Sequence, residues 1–572
     1  MALIRVPGTS VARHYRRTWL RADLLAGLAL VALLIPQGMA YAELAGVPPV
    51  AGLYATMLAL CAYAVFGPSR TLVLGPDSTI SPLVFAAVTP LVAHHASPSE
   101  RLAFAAMLAL LMGALCVIAG IFRLGVLGEL LSKPMRIGYL NGIAVVVFVS
   151  QLPKLFGFST DADGVVDELH AFMDGVLDGA TNSASLTIGV ACLAVIVVLR
   201  HWGPLAPGVL VAVVGATVAV SIFHLADEGV AVVGAVPQGL PRPDWPGVGL
   251  DDVTTLLTAA IGMAFVTIAD TIALSRTFAA RGDVVDAEQE IVALGAANIA
   301  AGLFQGLPVS ASSSRTAVAR STGARTQLAG VVGASGILVM LVAANDATRN
   351  LPTASLAAIV IAASFTLLDV GALARLARVR RSEFVLAMLT FLGVVFVGVL
   401  PGIAIAAGLS LVNFVRRAWR PYNVALGRID GRKGYHDVER HPEARQIPGL
   451  VLFRFDAPLF FANAEYFADR VQQLVSARGE PVRRVIVAAE PISDIDTTAA
   501  DVLDALIDDL REQGIDLVFA ELKGPVKDRL ARYGLAAKLG DLGFPPTLGT
   551  AIDDYLAATG VEWIDWEDRP PT

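Results

Sequence analysis

Charged residues and cysteines are scarce in this chain. Only 16% of its 572 residues are charged and 55% are hydrophobic, with a mean hydropathy of +0.65. Soluble chains carry about 25% charged residues, so this composition excludes an ordinary soluble protein and favours a bilayer protein. Cys61, Cys116 and Cys192 each stand alone inside apolar runs, so neither redox nor metal-ligand spacing is present.

Catalytic patterns are absent as well. The sequence contains no Ser/His/Asp triad, no phosphate-binding loop and no zinc-ligand spacing. We therefore predict no enzyme activity, no catalytic or metal-binding residues and no cofactor. The acids behind the net charge of −7 concentrate in the last third of the chain, and nothing supports nucleic-acid binding.

Long apolar runs fill the chain up to about residue 420. A run of about 20 residues, at 1.5 Å per residue, crosses a hydrocarbon core of about 30 Å. We predict fourteen spans, in two sets of seven, beginning near Leu24, Val50, Ser78, Arg101, Gly128, Ser183 and Leu205, and near Thr254, Glu290, Ser313, Thr326, Thr353, Glu383 and Gly402.

After these runs, short β-type segments alternate with amphipathic helices, which is typical of a soluble α/β domain. The expected organisation is a cytoplasmic segment 1–22, a transmembrane domain 23–420 (repeats about 23–223 and 254–420), a linker 421–445, a soluble domain 446–560 and a tail 561–572. Basic residues precede the first span and recur at every second connection, which predicts a multi-pass protein of the cytoplasmic membrane with both termini in the cytoplasm.

Two short polar elements interrupt the apolar pattern at matching places. "SRTLVLGPDSTISPLVFAAV" (69–88) and "GLPVSASSSRTAVARSTGA" (306–324) are each the third element of their set. Each has an extended apolar lead-in followed by a helix start rich in Ser and Thr. Matching broken elements in two halves indicate an inverted-repeat transporter whose site lies near mid-membrane.

The helix starts in these elements predict anion binding. A helix N-terminus has free N–H groups and about half a positive charge. Ser312, Ser313 and Ser314 can donate hydroxyls to an anion there, as Ser78 and Thr79 can from the facing element; the alternative is that these hydroxyls only cap helices.

Arg315 and Asp270 are charged residues placed inside apolar segments. A cation at mid-membrane costs about 2.5–3.5 kcal/mol, so we expect Arg315 to attract an anion or to neutralise an acid. Asp270 lies in "AFVTIADTIALS", where a buried carboxylate binds a proton or meets a cation. A salt bridge between Asp270 and Arg315 is the structural alternative for both residues.

At these residues the chain resembles the SulP family of anion transporters, the sulfate-permease group. The resemblance rests on "LIPQGMAYAELAGVPPVAGLYA", "PMRIGYLNGIAVVVFVSQLPKLFG", "AEQEIVALGAANIAAGLFQGLPVSASSSRT" and a C-terminal part similar to a STAS domain. It implies an α-helical membrane protein with a 7+7 inverted repeat, divided into core and gate domains, and a cytoplasmic α/β STAS domain. In that family the third and tenth spans are half-helices that face each other across the anion site.

The resemblance also assigns roles to individual residues. Gln37 and Tyr41, four residues apart on one helix face, match positions that line the site, although core packing alone would explain Tyr41. Asp270 and Glu43 match positions where the family often has acids, so both, together with Asn298, are candidates for coupling to H⁺ or Na⁺, and Glu43 could instead face the outer water. Asn298 matches an amide near the same core and is expected to orient its neighbours.

The STAS-like part carries one candidate regulatory residue. In "DIDTTAAD", Thr498 lies where related domains have a serine that is phosphorylated, and helix capping is the alternative role. The family commonly forms homodimers, so we expect a homodimer and allow for a cytoplasmic partner of this domain.

The function predicted from these features is secondary transport of a small anion such as sulfate, bicarbonate or a dicarboxylate. Coupling to H⁺ or Na⁺, or exchange, would accompany an elevator-like movement of core against gate. A channel-like anion conductor and an anion sensor that signals through the STAS domain are the alternatives.

Overall fold

The computed structural model describes residues 6–92, 97–125, 132–160, 162, 164–202, 208–279, 285–540 and 543–568. The chain forms two compact units, Met1–Ser410 and Leu411–Thr572.

The first unit is built from helices. They are α1 (Pro7–Arg13), α2 (Leu20–Leu44), α3 (Pro49–Phe66), α4 (Ser81–Val88), α5 (Pro98–Ile121), α6 (Lys133–Phe156), α7 (Val165–Leu177), α8 (Ser183–Trp202), α9 (Gly208–Phe223), α10 (Leu250–Phe278), α11 (Ala287–Leu303), α12 (Ser313–Ser321), α13 (Leu328–Ala343), α14 (Thr353–Leu367), α15 (Val370–Val379), α16 (Arg381–Leu392) and α17 (Val399–Trp419). Two short strands, β1 (Leu74–Gly75) and β2 (Ser310–Ala311), interrupt them, and a π-helical turn, Gly393–Val397, follows α16.

The predicted spans agree with these helices. A helix lies within a few residues of every predicted start; the starts at Gly128 and Leu205 lie outside the described residues, and their helices begin at Lys133 and Gly208. Among the described residues, seven helical segments are long and apolar enough to cross a membrane: α2, α3, α5, α6, α8, α10 and α14 with α15. The multi-pass fold is therefore confirmed, whereas the count of fourteen stays a prediction.

The helices form two packing groups, which meet where α2 packs on α9 and α14. In the core group α5 packs on α10 and α11, α3 packs on α2 and α11, α13 packs on α2 and α3, and α12 packs on α2. In the gate group α6 packs on α14 and α16, and α8 packs on α9 and α14.

Small residues permit the close contacts within each group. A Cβ at Gly52 on α3 would collide with the carbonyl oxygen of Gly38 on α2, and a Cβ at Gly138 on α6 would collide with that of Ala387 on α16. Helices in a membrane pack closely where small residues meet, because backbones can then approach each other.

The second unit contains a five-stranded sheet in the order β4-β3-β5-β6-β7. Its elements are β3 (Asn423–Arg428), β4 (Tyr435–Asp437), β5 (Leu450–Phe455), α18 (Ala464–Ser476), β6 (Arg484–Ala488), α19 (Thr497–Glu512), β7 (Asp516–Ala520), α20 (Gly524–Arg532), α21 (Leu535–Leu539) and α22 (Leu548–Thr559). Strands β5, β6 and β7 are parallel, whereas β3 is antiparallel to β4 and β5.

Two expected boundaries of this unit are corrected by the structure. The range 421–445 is not a linker, because it supplies β3 and β4, and Val424 and Leu426 of β3 point into the core. The range 561–568 is not a free tail, because Asp565 forms an ion pair of 2.7 Å with the buried Arg428. Short strands with polar ends escaped the sequence pattern, since their pairing partners lie elsewhere in the chain.

Candidate anion-binding site

The two broken elements meet through their extended lead-ins. Strands β1 and β2 are antiparallel, with Leu74 opposite Ala311 and Gly75 opposite Ser310. Each strand is followed by a short helix, α4 or α12, as the sequence predicts. The Ser312 amide donates to the Val73 carbonyl at 3.0 Å, so the lead-ins hold each other in place.

The N-terminus of α12 has free hydrogen-bond donors. The Ser312 carbonyl accepts the first helical hydrogen bond, from the Thr316 amide at 3.1 Å, which makes Ser312 the N-cap residue. In the described part of the chain, nothing accepts the backbone N–H groups of 313–315, and the Ser312 side chain forms no cap. Ser313 and Ser314 are exposed, and the Ser312 and Ser314 hydroxyls lie 3.3 Å apart. These donors are therefore open to an anion.

Arg315 is fully buried and only partly hydrogen-bonded. Its Nη2 donates to the Pro76 carbonyl at 2.6 Å, which connects α12 to the lead-in of α4. Its Nε and Nη1 have no hydrogen-bond partner among the described residues. A buried guanidinium with unmet donors is costly, so this arrangement favours a bound anion.

Gly75 makes room for this guanidinium. A Cβ at Gly75 would lie 2.5 Å from Nη1 of Arg315, and the residue has a φ of +157°. A side chain there would therefore displace the arginine. Sequence reasoning missed this role, which depends on the contact between two distant segments.

Asp77 was also missed by sequence reasoning, and it binds the turn 78–80, which leads into α4 and its N-cap residue Ile80. Its Oδ1 accepts the Thr79 amide at 3.0 Å, the Ile80 amide at 3.1 Å and the Thr79 hydroxyl at 2.8 Å, while Oδ2 accepts the Ser310 hydroxyl at 3.1 Å. The Thr79 hydroxyl thus binds Asp77, which corrects the expectation that it is free for an anion. The signal was an Asp before a Ser/Thr-rich helix start, which is typical of an N-cap.

Helix α2 brings Tyr41 to this place. Tyr41 is buried, and its hydroxyl interacts with Ser78, Asp77 and Arg315. Gln37 is also buried, and its Oε1 has no hydrogen-bond partner among the described residues. An amide oxygen accepts hydrogen bonds, so its partner would be a water or a protonated group, whereas only the Gln37 side-chain N–H2 could donate to an anion.

Asp270 forms its ion pair with Arg136 and not with Arg315. Its carboxylate lies 3.3 Å from Nε of Arg136 on α6, so the alternative of a salt bridge with Arg315 is wrong. Asp270 still lies close enough to Asp77 and Tyr139 to interact electrostatically. Tyr139, on α6, is buried, and its hydroxyl has no partner in the described chain. The Asp270 ion pair therefore joins the core group to the gate group.

Glu43 forms a second ion pair between the groups. At the end of α2 its Oε1 lies 3.3 Å from Nζ of Lys154 near the end of α6. Both side chains are partly exposed, and they line an open cavity of about 540 Å³ with Gly46, Val47, Pro48, Pro98 and Arg101. The alternative that Glu43 faces water fits this cavity, while its Oε2 is buried without a hydrogen-bond partner among the described residues, and its role in coupling stays a prediction.

Asn298 positions the lead-in of α12. Its Nδ2 donates to the Val309 carbonyl at 3.0 Å and to the Leu294 carbonyl at 3.0 Å, and its Oδ1 accepts the Val309 amide at 2.9 Å. Because backbone groups satisfy the amide, Asn298 orients its neighbours, as the resemblance implies.

Thr498 lies in the second unit, in the first turn of α19. It is exposed, and the cap of α19 comes from Asp496, whose Oδ1 accepts the Ala499 amide at 2.8 Å. The alternative of a capping role for Thr498 is therefore wrong, and its regulatory role stays a prediction.

Comparisons with known proteins agree with this fold. The model of the sulfate permease family matches residues 20–390, and the STAS domain model matches 441–551. A probable sulfate transporter of Mycobacterium tuberculosis is 40% identical over 96% of this chain and 98% of its own. The chloroplastic sulfate transporter 4.1 of Arabidopsis thaliana is 31% identical over 96% of this chain and 83% of its own.

Solved structures share the architecture at low sequence identity. The overall structure of SLC26A9 has a TM-score of 0.89 at 22% identity and covers 97% of this chain and 93% of its own. The transmembrane domain of a cyanobacterium bicarbonate transporter, BicA, has a TM-score of 0.60 at 23% identity, over 70% of this chain and 97% of its own. These likenesses show a common fold.

Proposed function

The chain belongs to the sulfate permease family of anion transporters, and on this premise we propose that it moves a small anion across the cytoplasmic membrane as a secondary transporter. Sulfate, bicarbonate and dicarboxylates are the candidate substrates. The observation that carries the proposal is Arg315, whose buried Nε and Nη1 have no partner among the described residues and lie beside the open N-terminus of α12. An oxyanion placed there would meet charge-assisted donors and backbone N–H groups together.

Tyr41, Ser78 and Gln37 complete the proposed site. Tyr41 supplies a buried aromatic wall whose hydroxyl interacts with Ser78, and Gln37 supplies the N–H2 donor of a buried amide. Asp77 and Asn298 fix the helix starts from outside the ligand contact. The binding residues then come from α2 and from both broken elements.

Coupling to H⁺ or Na⁺ is proposed to act through Asp270. This acid lies in an apolar helix, interacts electrostatically with Asp77 and pairs with Arg136 of the gate group. A cation bound at Asp270 would weaken the pair with Arg136 and would thereby favour movement of the core group. Glu43 is the second candidate for coupling, with Lys154 in the same relation to it.

Movement of the core group against the gate group is the proposed transport step. Helix α6 packs mainly on other gate helices, yet its Arg136 and Lys154 reach Asp270 and Glu43 of the core group. Ion pairs across a moving interface can break and re-form, since partly exposed pairs contribute only about 0–1 kcal/mol. We further propose cytoplasmic termini, a homodimer, and a regulatory role for the STAS domain, with Thr498 as its exposed hydroxyl.

Uptake by proteoliposomes tests the proposal. The full chain would be reconstituted, and radiolabelled sulfate, bicarbonate and fumarate uptake measured under H⁺ or Na⁺ gradients. Accumulation that depends on a gradient supports coupled transport, and exchange without a gradient supports an exchanger. Rapid gradient-independent flux would instead support a channel-like conductor, and anion binding without uptake would support a sensor.

A further inference from the structure

The starts of α4 and α12 differ in charge, although the two elements have matching sequence patterns. The amides of Thr79 and Ile80 already bind the Asp77 carboxylate, and the Ser81 amide binds the Asp77 carbonyl at 3.1 Å. The turn that leads into α4, whose N-cap residue is Ile80, therefore already holds a carboxylate of the protein. At α12 no carboxylate of the described residues takes the corresponding place, and the Ser312 side chain forms no cap.

Charged and titratable groups face Asp77 from several elements. Four of them interact electrostatically with Asp77: Arg315 on α12, Tyr41 on α2, Asp270 on α10 and Tyr139 on α6. Tyrosine side chains are ordinarily neutral at pH 7. Asp270 is compensated by Arg136, 3.3 Å away.

The net charge of the site then comes from four contributions: the two helix N-termini, Arg315 and Asp77. Each helix N-terminus contributes about half a positive charge. Arg315 contributes one positive charge and Asp77 one negative charge. With Asp77 in place the site therefore carries about one positive charge, and without it about two.

We infer that Asp77 is a specificity-determining residue that sets the charge of the anion site to balance a monovalent anion. The inference rests on the proposed function and deepens it. A divalent anion at the same place leaves one negative charge uncompensated, so it binds well only together with a cation. Asp77 thus links the charge of the substrate to the need for coupling.

A role in setting the charge can be recognised from how the affinity depends on the charge of the anion. Removing one negative charge stabilises a bound anion in proportion to the charge of that anion. The logarithm of the affinity should then rise twice as much for a divalent anion as for a monovalent anion of the same shape. Loss of a helix cap, in contrast, would change both affinities in the same proportion.

The variant Asp77→Asn separates charge from structure. Asparagine caps helices about as well as aspartate, and its Oδ1 can accept the Thr79 and Ile80 amides as the carboxylate does. The Ser310 hydroxyl can accept a hydrogen bond from Nδ2 in place of donating one. Asp77→Ser, which also provides a cap, is the second variant if the first does not fold.

The probes are sulfate and perchlorate, two tetrahedral oxyanions that differ by one charge. Binding of radiolabelled sulfate to the purified full chain is measured in detergent, and perchlorate is titrated as the competitor. For Asp77→Asn we expect affinity to rise on the order of tenfold for perchlorate and hundredfold for sulfate. Equal changes for both anions, no change, or a decrease for sulfate would overturn the inference.

Two controls separate this outcome from other failures. Asp369 caps α15 by accepting the Ala372 amide at 2.8 Å, and Asp369→Asn should leave both affinities unchanged. If wild-type protein binds neither anion, the proposed function fails. If wild type binds anions and Asp77→Asn keeps the same ratio of affinities, only the role of Asp77 fails.

Discussion

Asp270 on α10 forms its ion pair with Arg136 on α6, at 3.3 Å, and no carboxylate of the described residues forms an ion pair with Arg315 on α12. The acid proposed for coupling and the cation proposed for anion binding therefore have different partners. Each can be neutralised without removing the partner of the other, so coupling and binding become separable experiments.

Asp270→Asn should uncouple transport. The side-chain amide of asparagine is neutral, so it offers no negative charge to bind H⁺ or Na⁺. Uptake should therefore lose its dependence on the H⁺ or Na⁺ gradient, while exchange persists. The Arg136 side chain is 36% exposed, so it stays partly hydrated when the ion pair is lost, and we expect the variant to fold. Uptake in proteoliposomes with and without each gradient measures the effect.

The control for this experiment is Arg136→Gln, which removes the same ion pair but keeps the acid. It should change the rate of transport and keep its gradient dependence. If Asp270→Asn retains full gradient dependence, the coupling group lies elsewhere.

Asn298→Ala should weaken anion binding through the backbone of α12. It removes both hydrogen bonds to Val309 and leaves buried backbone groups unsatisfied, at a cost of about 1–3 kcal/mol for each group. We expect a lower melting temperature together with a lower affinity for sulfate.

A matched control is Asn141→Ala in the gate group. Asn141 is likewise buried; its Nδ2 donates to the Ile137 carbonyl at 2.8 Å and its Oδ1 accepts the Asp369 amide at 3.1 Å. This variant should also lower the melting temperature but should spare sulfate affinity. Equal losses of affinity in both variants would contradict a positioning role for Asn298.

The matching broken elements were predictable because their polar helix starts recur in two apolar sets. Arg315, Tyr41 and Asn298 could be named for the same reason, since polar groups stand out in apolar spans. The contact between Asp77 and Ser310 and the room that Gly75 provides for Arg315 could not be found in this way. They depend on the register between β1 and β2, which no local pattern encodes.

The partner of Asp270 was missed for a related reason. Arg136 resembles an orientation charge because it stands near the start of a span among other basic residues. Its contact with Asp270 joins two helices that lie far apart in the sequence, which is a tertiary relationship. In the second unit, β3 was missed because its pairing with β5, rather than its composition, makes it a strand.

Exchanging the charges of Glu43 and Lys154 should preserve transport better than changing either residue alone. Glu43→Lys opposes two cations and Lys154→Glu opposes two acids, so each should change the initial rate of uptake several-fold. The double variant restores an ion pair. Because its side chains are partly exposed, we expect an interaction free energy of about 0.2–1 kcal/mol for this pair.

The control exchanges Arg380 and Glu383, a pair of 3.1 Å near the start of α16. Both residues lie in the gate group, so the exchange and its single changes should leave the rate nearly unaltered. A double Glu43/Lys154 variant no better than its single variants would argue against a pair that acts between the two groups.

Sulfate binding to Arg315→Ala tests the central claim most directly, with Arg320→Ala as the matched control. Arg320 lies on the same helix but is exposed and donates to the Phe278 carbonyl. The measurement is equilibrium binding of radiolabelled sulfate to purified full-length protein, with melting temperatures recorded for each variant. We expect the affinity of Arg315→Ala for sulfate to fall at least tenfold, because a charge-assisted hydrogen bond contributes about 1.5–3 kcal/mol. We expect little change for Arg320→Ala. Unchanged affinity in a folded Arg315→Ala protein would contradict the account.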